Sequence, residues 1–317
     1  MSAIPLWIEG SFRASIRILS RKEGLRIAQG KPRAALGTHS SLDLPPRRAR
    51  RDFKPRLFIR LYECLRLILI AVPLAATASA QTPLRIAAAA DLEPVLPPIL
   101  AQFEQSTGIH AEATYQASAM LTTQIQNGAP FDLFLSADLS YPKRLIDAGL
   151  ADAAGTADSS TPIVYARGTL VLWTRKDSHL TPSLELLSSP DLKRLAIANP
   201  DRAPYGRAAV AALTSLKLYV TLKPKLVTAE NISQTAQFVD SGNADAGLIS
   251  LTSAMTPRLT ASGNYFLVPR DLYPPIEQGA VIVSTTRQRP QVHKFLDYLL
   301  SPSIQSQLAK SGLTPAH

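Results

Sequence analysis

The sequence predicts an α/β fold made of two similar lobes that are joined by two β crossings. From Leu84 onward, short apolar runs that suit strands alternate with segments of helical periodicity, the pattern of α/β units around mostly parallel sheets. A long β-type run at residues 163–173 separates two series of such units. A second apolar run at 279–284 precedes the last two helices, so each run is expected to cross between the lobes.

The first series contains three strands and three helices. The predicted strands are 84–89, 110–115 and 132–135, and the predicted helices are 92–103, 119–127 and 141–148. Gly128 and Gly149 follow the second and third helices, where glycine is the preferred residue. A polar stretch at 151–162 is expected to be a loop. Residues 81–166 together with 279–317 are predicted to form the first lobe.

The second series repeats this alternation. Predicted strands at 195–198, 225–228 and 246–251 alternate with predicted helices at 205–216 and 232–239. Residues 167–278 are therefore assigned to the second lobe. Two helices, at 291–300 and 302–311, close the chain. Ser301 suits the cap of the last helix and Pro302 its first helical position.

The positive charge of the chain lies entirely in its first 80 residues. The net charge is +10, but residues 1–80 hold 15 Lys and Arg against 5 Asp and Glu, which leaves 19 of each sign for the remainder. A neutral body lacks the broad positive field that binds phosphates. We therefore expect no nucleic-acid partner.

Residues 1–80 are predicted to be a leader that contains a signal peptide. Its end combines a basic flank, an apolar run and small residues at Ala78 and Ala80, a pattern typical of export with cleavage before Gln81. The apolar run of roughly ten residues is shorter than the about 20 that a membrane span needs. The basic stretch 1–55 has no periodicity, and we hypothesise that translation begins nearer Leu57, which the intact mass of the precursor tests. The single cysteine, Cys64, lies in this leader, so the mature part has no thiol.

Four strand-to-helix junctions have a chemistry that suits an anion. They contain Asp91, Ser118, Tyr205 and Ile232, with two junctions in each predicted lobe. Ligands of α/β sheets bind beyond the carboxyl ends of strands, where the first N–H groups of helices lack intrahelical partners and the helix dipole is positive. A small oxyanion can be held there without a cationic side chain. Taken alone, Ser118 also suits an ordinary helix cap.

Three stretches near these junctions resemble a known family. They are AAAADL at 87–92, QIQNGAPFDLFLSAD at 124–138 and NPDRAPYGRAA at 199–209. They look like the periplasmic molybdate-binding proteins, which are the substrate-binding subunits of molybdate ABC importers. The similarity runs in the same order from about Leu84 to the C-terminus, and the second stretch is its most specific part.

The resemblance implies the type II periplasmic binding protein fold, in which two lobes close about a hinge of two β crossovers. It also implies that molybdate or tungstate, as an unprotonated tetrahedral dianion, is held by N–H groups and hydroxyls. By motif, the contacts fall to Asp91, Ser118, Tyr205 and Ile232, with the hydroxyl and N–H of Ser118 and mainly the N–H groups of the others. The expected protein is a periplasmic monomer without a cofactor, and its partner is an ABC permease of the inner membrane.

Two positions depart from the family pattern. Many members have Ser or Thr where this chain has Asp91, and a carboxylate repels a dianion unless it turns away to cap its helix or accepts a proton from the ligand. Ser250 stands where some members have Tyr, so either a smaller donor serves there or the site uses four contacts. Without the resemblance, Asp91 is expected to be a helix cap, Tyr205 a hydrophobic cover and Ile232 a core residue.

Other classes of function find less support in the sequence. The five histidines form no metal-type pair, no Gly-x-Ser-x-Gly elbow marks a nucleophile, and the acidic residues form no identifiable acid/base pair, so no enzyme activity is expected. The sensing domain of a transcription regulator would need a helix-turn-helix, which residues 1–80 do not show. The remaining alternative is a binding protein for another anion such as sulfate, phosphate or a carboxylate.

Overall fold

A computed structural model of the chain describes residues 82–153 and 160–316. The predicted leader, its cleavage site before Gln81, and Cys64 lie outside the described residues. Within the described ranges, no helix is both long and apolar enough to cross a membrane. The strands of this part are β1 Leu84–Ala89, β2 Ala111–Gln116, β3 Leu133–Ser136, β4 Ala151–Ala153, β5 Ile163–Gly168, β6 Leu170–Arg175, β7 Leu195–Ala198, β8 Leu226–Ala229, β9 Ala246–Ser250, β10 Gly263–Leu267, β11 Ile276–Val283 and β12 Thr314–Pro315.

The α-helices alternate with these strands along most of the chain. They are α1 Leu96–Thr107, α2 Ser118–Gln126, α3 Ser140–Asp147, α4 Pro204–Ser215, α5 Tyr219–Leu222, α6 Ile232–Asp240, α7 Leu251–Ala254, α8 Pro257–Ser262, α9 Arg289–Leu299 and α10 Pro302–Lys310. Short 3-10 helices lie at Ala90–Leu92, Lys176–Ser178, Glu185–Ser188, Lys223–Lys225 and Arg270–Leu272.

The first lobe is built on a mixed sheet with the strand order β12-β5-β11-β3-β1-β2, and β4 pairs with β11. β1 runs parallel to β2 and β3, whereas β11 runs antiparallel to β3, β4 and β5. Ala89 lies opposite Gln116, so β1 and β2 end at the same edge of the sheet. Helices α1, α2, α3, α9 and α10 bury their apolar faces against this sheet.

The second lobe is built on a smaller sheet with the order β10-β6-β9-β7-β8. β7 runs parallel to β8 and β9, and β6 runs antiparallel to β9 and β10. Ala198 lies opposite Ala229, which brings the carboxyl ends of β7 and β8 to one edge. Helices α4 to α8 contribute to the apolar cores of this lobe.

The chain passes between the two sheets twice. β5 ends at Gly168 in the first sheet and β6 begins at Leu170 in the second, so the predicted run 163–173 is two strands that change sheet between them. The return leads from Leu267 at the end of β10 to Ile276 at the start of β11, so residues 167–168 and 276–278, which were assigned to the second lobe, lie in the first sheet. The predicted run 279–284 overlaps β11 within the first sheet and is not itself the connection. The prediction of two α/β lobes with two connections is confirmed.

Two local predictions were wrong. Helix α1 begins at Leu96 instead of residue 92, because a 3-10 turn at Ala90–Leu92 comes first and the prolines that follow Leu96 suit the first turn of a helix. The stretch predicted as a loop at 151–162 begins with the short strand β4, which pairs with β11.

Candidate oxyanion-binding site

The four predicted junctions line one small cavity between the lobes. Asp91 and Ser118 follow β1 and β2, Tyr205 and Ile232 follow β7 and β8, and all four belong to the cavity wall. The cavity itself has a volume of about 10 Å³. Clefts that hold drug-sized ligands occupy roughly 300–1,000 Å³, so this one suits a much smaller solute.

Three backbone N–H groups in the wall have no acceptor within the part of the chain that the structure describes. They belong to Ser118 at the first position of α2, Tyr205 at the second position of α4 and Ile232 at the first position of α6. Helix geometry gives such groups no intrahelical partner, and their dipoles point outward from the helix start. Donors from both lobes therefore converge on the cavity.

Ser118 is not an ordinary helix cap, so that interpretation was wrong. The cap position belongs to Ala117, and no side chain caps α2. The Ser118 Oγ instead accepts a hydrogen bond from the N–H of Ala137 at 3.1 Å. This contact fixes the side chain, which is 1% exposed, and leaves its proton without an acceptor among the described residues. Ser118 thus has two donors free, its N–H and its hydroxyl.

Asp91 does not cap a helix either, so the expectation that its side chain is a helix cap was wrong. Its Oδ2 accepts hydrogen bonds from the Tyr205 hydroxyl at 3.1 Å and from the Gln278 amide. Tyr205 comes from the second lobe, while Gln278 lies on β11 of the first. The fully buried carboxyl therefore connects both lobes, while its Oδ1 has no partner in the described structure.

Burial raises the pKa of Asp91 from 3.8 to about 6. Hydrogen bonds from Gln278, from Tyr205 and from the backbone N–H of Asp91 itself act in the opposite direction because they favour the charged form. The pKa values of Tyr205 and Tyr165 are raised well above their usual value, first by burial and then by the nearby charge of Asp91. The two phenols are therefore neutral donors at neutral pH, whereas the pKa of Asp91, about 6, lies close to neutral pH.

At the starts of α4 and α6, the N–H groups of Tyr205 and Ile232 lie in the cavity wall, and no side chain accepts from them. Pro204 occupies the first position of α4. A Cβ at Gly206 would lie 2.3 Å from the Ala198 carbonyl oxygen, so glycine lets this helix start pack closely against β7. In α6, the side chain of Asn231 accepts from the N–H of Gln234 at 2.9 Å and thereby leaves that of Ile232 free.

Further contacts between the lobes surround the cavity. The N–H of Ala119 donates to the Arg202 carbonyl at 3.1 Å, and the Ser233 hydroxyl donates to the Ala90 carbonyl at 2.9 Å. Arg207 of the second lobe forms an ion pair with Asp138 of the first. Together with the apolar cluster that includes residues of both lobes, these contacts show the lobes closed over the cavity.

No cation lines the cavity among the described residues, and no group of residues there has the composition of a metal site. The wall offers N–H donors, the Ser118 hydroxyl, the Asp91 carboxyl and small apolar side chains, together with Gln116, Tyr205 and Asn231. The predicted site residues are thus brought together as expected. Gln278 was missed, although a single amide inside the apolar strand β11 is a visible signal in the sequence.

Ser250, expected to be a possible substitute for a tyrosine ligand, lies outside the cavity wall. Its Oγ accepts from the N–H of Ser253 at 3.2 Å and caps α7. The adjacent Thr252 hydroxyl donates to the Asp91 carbonyl at 2.8 Å and so helps to hold the 3-10 turn. Ser250 therefore has a structural role in the second lobe.

Comparison with known proteins agrees with this architecture. Residues 84–314 match the family model described as bacterial extracellular solute-binding protein. The chain is 36% identical over 239 residues to the molybdate-binding protein ModA of Azotobacter vinelandii, which covers 75% of this chain and 92% of that protein. It is also 36% identical over 212 residues to ModA of Rhodobacter capsulatus, which covers 67% of this chain and 80% of that protein.

Solved structures show the same relationship. The periplasmic molybdate-binding protein of A. vinelandii superposes with a TM-score of 0.68 at 28% identity, over 74% of this chain and 100% of that one. The substrate-binding domain of a putative molybdenum ABC transporter from Clostridium difficile has a TM-score of 0.58 at 27% identity, over 74% and 99%. The likeness to the sulfate-binding protein SubI of Mycobacterium tuberculosis, at 17% identity and a TM-score of 0.62, shows the fold alone.

Two α/β lobes closed over a cavity lined with N–H donors define a solute-binding protein of the two-lobe type. The chain belongs to the bacterial extracellular solute-binding protein family, and its relatives there include the ModA molybdate-binding proteins.

Proposed function

We propose that the protein binds molybdate or tungstate outside the cytoplasm and delivers it to an ABC permease of the inner membrane. The observation that carries this proposal is the convergence of free N–H groups from both lobes on one small cavity. Relatives that are named as molybdate-binding proteins and cover most of the chain support the choice of anion. The protein acts as a periplasmic monomer and performs no chemistry on its ligand.

The ligand contacts are assigned to Asp91, Ser118, Tyr205 and Ile232. Ser118 donates through its N–H and its hydroxyl, while Tyr205 and Ile232 donate through N–H groups. Asp91 occupies the fourth junction, and its own N–H, which also interacts with the Asp91 carboxyl, completes the set. A tetrahedral anion accepts from donors on several sides at once, so donors from both lobes are satisfied by the same ligand only when the lobes are closed.

Selectivity among oxyanions follows from size and protonation. Donors fixed on helix starts match the larger molybdate and tungstate and leave sulfate with stretched hydrogen bonds, which weaken steeply with distance. A wall composed mainly of donors also disfavours hydrogen phosphate, because its hydroxyl lacks an acceptor there. The exception is Asp91, the one carboxyl among the described residues of the wall.

Calorimetric titration of the purified protein with molybdate, tungstate, sulfate and phosphate tests the proposal. We expect molybdate and tungstate to bind and to raise the melting temperature, and sulfate and phosphate to do neither at the same concentrations. Preferential binding of sulfate, phosphate or a carboxylate would instead identify a transporter component for another anion. Light scattering after size exclusion checks the monomer, and uptake of molybdate by cells that lack the gene checks delivery to a permease.

A further inference from the structure

Asp91 is the one carboxyl that the described residues place in the cavity wall, and its surroundings are unusual for a carboxylate. It is fully buried, and only one of its two oxygens has hydrogen-bond partners in the described structure. An anion in the cavity is enclosed by a wall that includes Asp91. Two like charges enclosed together in one small cavity repel unless one of them takes up a proton.

We propose that the site takes up one proton with each oxyanion that it binds, and that the carboxyl of Asp91 holds this proton. The inference rests on the proposed function, since it needs an anion in the cavity. The unpartnered Oδ1 is the atom available for the proton, because Oδ2 already accepts from Tyr205 and Gln278. A protonated Asp91 keeps both of these hydrogen bonds and has a donor at Oδ1.

The groups around Asp91 give it no compensating positive charge. Tyr205 on α4 and Tyr165 on β5 are the titratable groups that interact with it, and both are neutral phenols at neutral pH. Gln278 on β11, Ser233 on α6 and Thr252 on α7 are uncharged. Among the described residues no Lys, Arg or His lowers the pKa of Asp91. The field of a bound dianion therefore acts on this carboxyl without a nearby cation to oppose it.

The direction of the effect follows from the three states of the carboxyl. In separated lobes Asp91 is hydrated and its pKa lies near the usual value, while burial in the closed protein raises that pKa to about 6. A dianion beside it raises the pKa further. Binding therefore takes up a proton at any pH between the pKa of Asp91 in the ligand-free protein and its pKa in the complex. The affinity for the anion increases as the pH falls through that range.

The test is calorimetry with molybdate at pH 7 in two buffers of different ionisation enthalpy, which gives the number of protons taken up per anion. We expect a value close to one for the wild type, and an affinity that rises by up to about tenfold per unit of decreasing pH. For Asp91→Asn, which has the shape of the protonated acid, we expect a value near zero and an affinity independent of pH between 6 and 8. Asp138→Asn is the matched control, because Asp138 also contacts the opposite lobe but lies outside the cavity wall; its proton uptake should equal that of the wild type.

The possible results separate this inference from the proposed function. Molybdate binding by the wild type without proton uptake would overturn the inference and leave the proposed function intact. Proton uptake that persists in a folded Asp91→Asn variant would place the proton on the anion or elsewhere and would also overturn it. A wild type that binds neither molybdate nor tungstate would overturn both. The wild-type measurement decides the matter even if the variant fails to fold.

Discussion

Replacing Ser118 by Ala separates the two roles that the structure gives its hydroxyl. As an acceptor, the Oγ satisfies the buried N–H of Ala137, and as a donor it has a proton free for the ligand. Loss of the acceptor leaves an unpaired N–H with or without ligand, so it reduces stability. Loss of the donor removes a contact that exists only in the complex, so it reduces affinity.

The two losses have different magnitudes and different readouts. An unsatisfied buried N–H costs about 1–3 kcal/mol, which corresponds to a decrease of about 2 to 10 °C in the melting temperature of a protein of this size. A hydrogen bond to a charged group contributes about 1.5–3 kcal/mol, which corresponds to a roughly 10- to 100-fold increase in Kd. Thermal unfolding without ligand measures the first effect, and calorimetry with molybdate measures the second.

Ser140→Ala provides the matched control. Ser140 is also the first residue of a helix in the first lobe, but it is exposed and its hydroxyl donates to Asp138 at 2.8 Å, away from the cavity wall. Both the melting temperature and the Kd of this variant should stay close to those of the wild type. If Ser118→Ala loses stability but keeps the wild-type Kd, the hydroxyl only supports Ala137 and the assigned ligand contact is refuted.

Three further predictions concern closure and pH. A Cβ at Gly168 would lie 2.2 Å from the hydroxyl oxygen of Tyr205, so Gly168→Ala should hinder closure and raise the Kd for molybdate at least about tenfold, as measured by calorimetry. Arg207→Gln removes a partly exposed ion pair with Asp138, which is worth about 0.2–1 kcal/mol, so the Kd should rise no more than about fivefold, and less at high salt. Because the pKa of Asp91 is raised to about 6 in the closed protein and lies near its usual value in open lobes, closure without ligand should be about 1.4 kcal/mol more favourable at pH 5 than at pH 7.5 through this group, as measured by small-angle scattering at the two pH values.

Each of these predictions has its own contradicting result. Small-angle scattering that shows full closure of Gly168→Ala with molybdate would mean that Tyr205 moves aside without consequence. Arg258→Gln removes an ion pair with Asp240 inside the second lobe, so an equal loss of affinity there would mean that contact between lobes is not the cause. For Asp91, the stabilisation is present at low pH and is lost as the pH rises through about 6; a pH dependence that is unchanged in Asp91→Asn would assign it to other groups.

Local patterns in the sequence predicted most of the fold. The strand at 195–198 was predicted with the bounds it has, and α2 and α6 lie within one residue of their predicted ends, because apolar periodicity and helix-ending residues are local signals. Strand β10 was missed because its side chains are mostly exposed and its pairing partner β6 is distant in sequence. Tertiary pairing of this kind leaves no periodic signal.

In the candidate site, too, local features could be predicted from the sequence and contacts between distant residues could not. The four junctions were predicted because each is a local strand-to-helix motif. The partners of Asp91 were not, because Tyr205 and Gln278 are 114 and 187 residues away in the chain; Gln278 meets it through the first sheet, and Tyr205 meets it only when the lobes are closed. The sequence offered a cap or a ligand contact for this carboxyl, and the structure gives it a third position, between the lobes.

The helix starts at the cavity give a physical reason for the ligand-dependent closure that the proposed function requires. Ala89, Ala117 and Ala203 occupy the cap positions of the 3-10 turn, α2 and α4, where Ser, Thr, Asp or Asn would be preferred and an alanine costs about 1 kcal/mol of helix stability. By contrast, Ser250 and Thr256 cap α7 and α8 with their side chains.

The uncapped starts leave donors that water satisfies in open lobes and that closure without a ligand would bury unpaired, at about 1–3 kcal/mol each. A bound oxyanion removes this penalty by accepting from both lobes, so the same N–H groups that select the ligand also shift the protein towards its closed state.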